Sequence, residues 1–180
     1  LTCGCSHTVG VGVNQHEAWP FVLKELVKKH TGKTVSIHNL ATSGASVDYV
    51  VRTVHKTIDI LNPDFVCVFW PPVGRVEMPS NENDKAVTQS FLRDGNFPKN
   101  FVNEYWLQDY LFRKNLVFMK SLTNAHKSKF IANTVIESMV DDIEEDYFPA
   151  DSTARDGLHP GPEWHKTGAE FYFKNIKEHL

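Results

Sequence analysis

Read from its amino end, the chain alternates short apolar runs with longer stretches in which apolar residues recur every three or four positions. Leu1 to Gly12 form a stub of strand that breaks at Gly4 into a loop of small residues ending near Asn14. From Trp19 to His30, Phe21, Val22, Leu23, Leu26 and Val27 share one helical face, with Pro20 in the first turn and Gly32 where a carboxyl-terminal cap belongs. Val35 and Ile37 alternate with polar neighbours and predict a short strand ending at Asn39, followed by the loop Ala41 to Ser46. Val47, Val50, Val51, Val54, Ile58 and Leu61 predict a second helix, which Asn62-Pro63 stops. The unbroken run Phe65-Val66-Cys67-Val68-Phe69-Trp70 then reads as a parallel strand buried on both faces.

Pro71-Pro72 opens a polar connection to about Asn103, long enough to be an irregular functional insertion or a lid. A long amphipathic helix follows from Glu104 to about Lys127, then a strand from Lys129 to Asn133, and a closing helix from Trp164 to Ile176. The alternation of strand and helix predicts a parallel sheet with helices on both faces and a site at the carboxyl ends of the strands. Residues 1–180 are expected to form one domain, with the insertion at about 71–103 as its main embellishment.

Composition narrows the function. Lys plus Arg number 19 against 22 Asp plus Glu, a net charge of −3, so the basic footprint of a nucleic-acid or anionic-membrane binder is missing. The longest apolar stretch, Phe65 to Trp70, is far below the roughly 20 residues a membrane span needs. Cys3, Cys5 and Cys67 make no even disulfide framework, which together with the lack of a secretion signal before Leu1 mildly favours a cytoplasmic, reducing location. Nine histidines include no metal-binding spacing, and the seven acids between Glu137 and Asp151 lack a calcium-loop pattern, so no metal is expected. Gly10-x-Gly12 lacks the rest of a dinucleotide fingerprint, and no organic cofactor is expected either.

Three strand-end loops hold the parts for acyl transfer: Ser6, Gly44, and the segment Asp156-Gly157-Leu158-His159. A hydroxyl needs a base to become a useful nucleophile, and the imidazole of His159 is the candidate. Asp156, three residues earlier, is placed to accept the imidazole's other N–H and fix its tautomer. Backbone N–H groups of Ser6 and Gly44, in turns of small residues, suit a developing oxyanion. Taken singly, each piece has an ordinary reading: a turn serine, a turn glycine, an Asp that caps a loop. His7 reads as structural, and Trp70 as a core aromatic.

The order of these pieces resembles the SGNH (GDSL-like) hydrolase family of esterases, lipases and carbohydrate deacetylases, and the resemblance spans almost the whole chain. The family's Gly-Asp-Ser block is similar to Gly4-Cys5-Ser6, its second block to Asn39-Leu40-Ala41-Thr42-Ser43-Gly44, and its Asp-x-x-His block to Asp156 through His159, with Gly168 also in place. The resemblance implies a flavodoxin-like three-layer α/β/α sandwich. It also implies Ser6, Asp156 and His159 as catalytic residues, with Ser6 and Gly44 as oxyanion donors. The expected substrate is a carboxylic ester, such as an acetyl ester of a carbohydrate or small molecule.

Two departures stand out. Cys5 replaces the family's Asp, and the third-block Asn is missing near Trp70-Pro71-Pro72-Val73, where Pro72 has no donor at all. Arg75 is the first candidate for an oxyanion or substrate-binding donor there, ahead of Asn14, Asn81 and Asn83; its ordinary alternative is a surface pair with Glu77. The rival functions are a non-catalytic binding module on the same fold and an acyltransferase using the same three side chains.

Overall fold

The computed structural model describes residues 1–79, 86–90, 105–134 and 152–180. The apolar run is strand β2 (Phe65–Trp70), paired in parallel with β1 (Thr2–Gly4) on one side and β5 (Lys129–Thr134) on the other. A strand flanked on both sides sends alternate side chains to opposite faces, and both faces need covering. Val66, Val68 and Trp70 pack with Val50, Val54 and Ile58 of α3 (Val47–Leu61) and with Phe112 and Met119 of α4 (Tyr105–Ala125). Cys67 and Phe69 pack with Trp19 and Leu23 of α2 (Trp19–Thr31) and with Trp164 and Tyr172 of α5 (Pro162–Ile176). The result is the three-layer α/β/α sandwich, with a core on each side of the sheet.

The helix ends follow local chemistry. Gly32, at φ 69°, closes α2, and the Ser46 hydroxyl accepts the Tyr49 N–H at 2.9 Å to cap α3. The small-residue segment after Gly4, expected as a loop, holds a short helix at Ser6–Val9; the other helices and strands lie within a residue or two of the positions their periodicity predicts, with two exceptions.

The first exception is the strand expected at Val35 to Ile37. Only Asn39 pairs, with Thr2, through bonds from Thr2 N to His38 O and from Leu40 N to Thr2 O, each 2.9 Å. Among the described residues no ladder forms along Val35 to Ile37, and the alternation there stays an unpaired edge. The second is the connection after Trp70, which is not irregular throughout. Its described part holds an antiparallel pair, β3 (Arg75–Pro79) with β4 (Ala86–Ser90). Arg52 of α3 clamps this pair to the domain through Glu77, with Nε and Nη2 donating to the carboxylate at 3.1 and 2.6 Å. The acidic segment up to Asp151, and Asn81 and Asn83, lie outside the described residues.

Counting the Asn39 contact as an edge, the strand order is second, first, third, fourth in sequence. The chain leaves β1 toward one edge and β2 toward the other, so their carboxyl ends diverge into a crevice, where ligands of such sheets bind. Gly4, Phe69 and Asn133 are neighbours across that end. On the α2/α5 side the buried Tyr172 hydroxyl donates to Val68 O at 2.6 Å, tying the last helix to the central strand. Tyr172→Phe is expected to lower unfolding free energy by about 1–2 kcal/mol with an unchanged denaturant slope, measured by urea unfolding.

Candidate active site

Ser6 follows β1 after one residue. It opens the short helix α1 (Ser6–Val9), which closes at Gly10 with φ 82°. A first-turn residue has no intrahelical partner for its N–H, so the Ser6 amide is left as a free donor at the strand end. Cys5 is fully buried in the turn, and its carbonyl accepts the Thr8 and Val9 N–H groups at 2.9 and 3.0 Å. All three cysteines are buried; burial pushes the Cys3 thiol up to about 12, which removes it as a nucleophile.

The Gly44 loop is tied to this turn twice. Thr42 N donates to Gly4 O at 3.3 Å, and the Asn39 amide donates to Thr8 O at 3.0 Å. Gly44 sits third in a turn closed by Ala45 N to Thr42 O, at φ 77°, as a type II turn requires. Its own N–H makes no backbone bond among the described residues.

Asp156 and His159 form a tight pair. The Asp156 Oδ2 lies 2.6 Å from His159 Nδ1, while Oδ1 accepts the N–H groups of Leu158 and His159 at 3.0 and 3.1 Å. Those two amides, then the imidazole, hold the Asp156 carboxyl down to about 2. A carboxylate at Nδ1 assigns the proton to that nitrogen and leaves Nε2 as the base.

The Gly10-Gly12 loop sets where this pair lies. The Gly12 carbonyl accepts Arg155 N and Arg155 Nε, both at 3.2 Å. A Cβ on Gly12 would stand 2.7 Å from the Ala154 Cβ and 3.0 Å from Asp156 Cγ, at a φ of 84°. The glycines discounted as a nucleotide motif therefore allow the backbone to approach the Asp156 turn.

His7 was assigned a structural role by sequence, yet it touches the site. Its ring centroid is 6.0 Å from that of His159, 6.0 Å from Phe69 and 5.7 Å from Trp164, and Cys5 Sγ lies 3.3 Å from its Nδ1. Burial, and then the charge of Arg75, lower its pKa to about 4. Arg75 opens β3, and its Nη1 donates to Ala45 O at 3.4 Å, next to the Gly44 turn. Glu77 is taken by Arg52, so the surface pair considered for Arg75 does not exist. Asn14 is exposed at the start of a 3₁₀ turn, with its backbone N–H on Glu17 at 2.7 Å.

The strand ends thus bring the Ser6, Gly44, Arg75 and Asp156-His159 segments together. No hydrogen bond joins Ser6 Oγ to His159 Nε2 in this structure; in unliganded sites such bonds are often long. A hollow of about 460 Å³ lies at the opposite, amino ends of β1 and β2, lined by Leu1, Val35, His38 and Phe65, and contains none of these residues. Among the described residues no cluster of His, Cys, Asp and Glu is arranged to hold a metal ion. No described helix is long and apolar enough to cross a membrane.

No protein-family model matches the chain, and no curated protein does. Solved structures do. The crystal structure of TesA is similar over 99% of this chain and 98% of its own, with a TM-score of 0.65 at 14% identity. The psychrotrophic esterase EstA from Pseudoalteromonas sp., solved with monoethylphosphonate as inhibitor, is similar over 98% of this chain and 97% of its own, with a TM-score of 0.58 at 14% identity. A G-D-S-L family lipolytic protein from Desulfitobacterium hafniense is similar over 96% of both chains, with a TM-score of 0.57 at 11% identity. The chain has the SGNH hydrolase fold.

Sequence reasoning passed over His165. His165 is fully buried; its Nδ1 accepts the Trp19 N–H at 3.3 Å, and burial lowers its pKa to about 4. Between pH 6.5 and about 4 the unfolded chain carries protons on His7 and His165 that the folded chain does not, so stability falls on acidification through that window. His165→Phe is expected to reduce the slope of unfolding free energy against pH near 5 by about one proton, read from denaturant midpoints across the window.

Proposed function

We propose that the chain is a serine hydrolase of carboxylic esters. The observation that carries this reading is the 2.6 Å Asp156-His159 pair, packed through Gly12 and His7 against the turn that bears Ser6. Its support is the fold shared with solved esterases and lipolytic proteins.

In this mechanism Ser6 Oγ attacks the ester carbonyl and forms the C–O bond as its proton passes to His159 Nε2. Asp156 keeps Nδ1–H in place and offsets the imidazolium charge. The oxyanion faces the N–H groups of Ser6 and Gly44, and Arg75 brings positive charge to the corner left without the third-block Asn. Collapse of the tetrahedral intermediate breaks the bond to the leaving oxygen, which takes the proton from His159. Water, deprotonated by His159, then releases the acid and restores Ser6. Losing one oxyanion donor costs about 10²- to 10³-fold, so the Arg75 corner is decisive for turnover. The neutral state of His7 helps, because a second cation beside His159 would oppose the imidazolium.

Two observations favour a second reading, a binding module without turnover: the missing Asn and the unformed Ser6-His159 bond. An acyltransferase uses the same three side chains and differs only in the acceptor. Hydrolysis of 4-nitrophenyl acetate separates the first two. Ser6→Ala is expected to lose at least about 10³-fold, His159→Ala a comparable amount, and the double variant no more than either, since the groups act as a unit. Equal rates for wild type and Ser6→Ala would leave the binding module.

A further inference from the structure

Arg75 is half-buried, and the described residues leave its charge uncompensated. Among the described residues its guanidinium makes one hydrogen bond, the long contact to Ala45 O at 3.4 Å. The acid two positions on, Glu77, takes both donors of Arg52 instead. The carboxylate of Asp48 lines the same small hollow as Arg75 but forms no ion pair with it; its oxygens accept from Glu77 N and from Asn115 Nδ2, each at 3.4 Å. Removing a guanidinium from water without a counter-charge is unfavourable, and its planar fork of donors matches a carboxylate.

Position says which part of a substrate would supply that carboxylate. The leaving oxygen must face His159, which protonates it. Arg75 stands instead against the Gly44-Ala45 peptide, beside the Gly44 N–H to which the proposed mechanism assigns the carbonyl oxygen, and so toward the acyl part rather than the leaving group. We propose that Arg75 binds a carboxylate on the acyl part of the substrate, so that the preferred ester is a half-ester of a dicarboxylic acid. This rests on the hydrolase reading and names its substrate class, replacing a simple acetyl group. Hydrolysis breaks the acyl C–O bond and releases the alcohol and the free diacid.

The test compares the mono-4-nitrophenyl ester of adipic acid with 4-nitrophenyl hexanoate, equal in chain length and differing in the terminal carboxylate. Wild type is expected to prefer the adipate ester by at least tenfold in kcat/KM. Arg75→Gln should cut that preference 10- to 100-fold, chiefly through the KM of the adipate ester, and Arg75→Lys should restore part of it. A preference absent in wild type, or unchanged in Arg75→Gln, overturns the proposal; in the latter case a parallel fall for both esters marks Arg75 as an oxyanion donor only. If neither ester is turned over faster than by Ser6→Ala, the hydrolase reading has failed separately. Calorimetric binding of adipate itself then decides: binding that Arg75→Gln abolishes keeps the carboxylate site, and no binding to wild type removes it.

Discussion

Burial of β2 on both faces is the constraint on which the site depends. Because Val66, Val68 and Trp70 need one helical layer and Cys67 and Phe69 the other, the strand cannot slip by one residue without exchanging its two cores. The register Gly4 to Phe69 to Asn133 is thereby held, and with it the level at which Ser6 leaves β1 and Arg75 follows β2. Helices α2 and α3 lie on opposite faces because the chain moves outward from β1 in one direction and returns past it in the other, with crossovers of one hand. The crevice is a product of that topology.

Within the crevice, small residues and paired charges set what the side chains can do. Gly12 lets the first loop approach the Asp156 turn closely, while two backbone amides keep Asp156 ionised so that it can hold His159. The Arg52-Glu77 pair has a double effect. It fastens the β3-β4 pair to α3, and by occupying Glu77 it leaves the neighbouring guanidinium of Arg75 beside the Gly44 turn without an ionic partner among the described residues. A charge left uncompensated in a concave place suits recognition rather than stability, because folding alone gains little from it.

Much of the framework was legible in the sequence because its signals are local. The 3.6-residue periodicity of Val47 to Leu61 and the closed apolar run at β2 need no tertiary information, and the break at Gly4 marks the end of the first strand just before Ser6. What was not legible depends on contacts between distant segments. The segment around Val35 has strand-like alternation, but pairing depends on contacts with another segment, and only Asn39 makes one, with Thr2. His7 looked structural because a residue adjacent to Ser6 usually points elsewhere; its closeness to His159 follows from how α1 packs on α5 through Trp164. Gly12 carried a visible signal, a second glycine two after Gly10, yet its reason lies some 140 residues downstream, in the Asp156 turn.

The central claim is that Ser6 and the Asp156-His159 pair form one acylating site despite the altered first and third blocks. The most direct measurement is mass spectrometry of the full chain after treatment with a fluorophosphonate, which reacts with a serine only when a neighbouring base activates it. The account predicts a single adduct on the peptide carrying Ser6, formed by wild type and absent from His159→Ala. No adduct, an adduct on Cys5, or equal labelling in His159→Ala would contradict it.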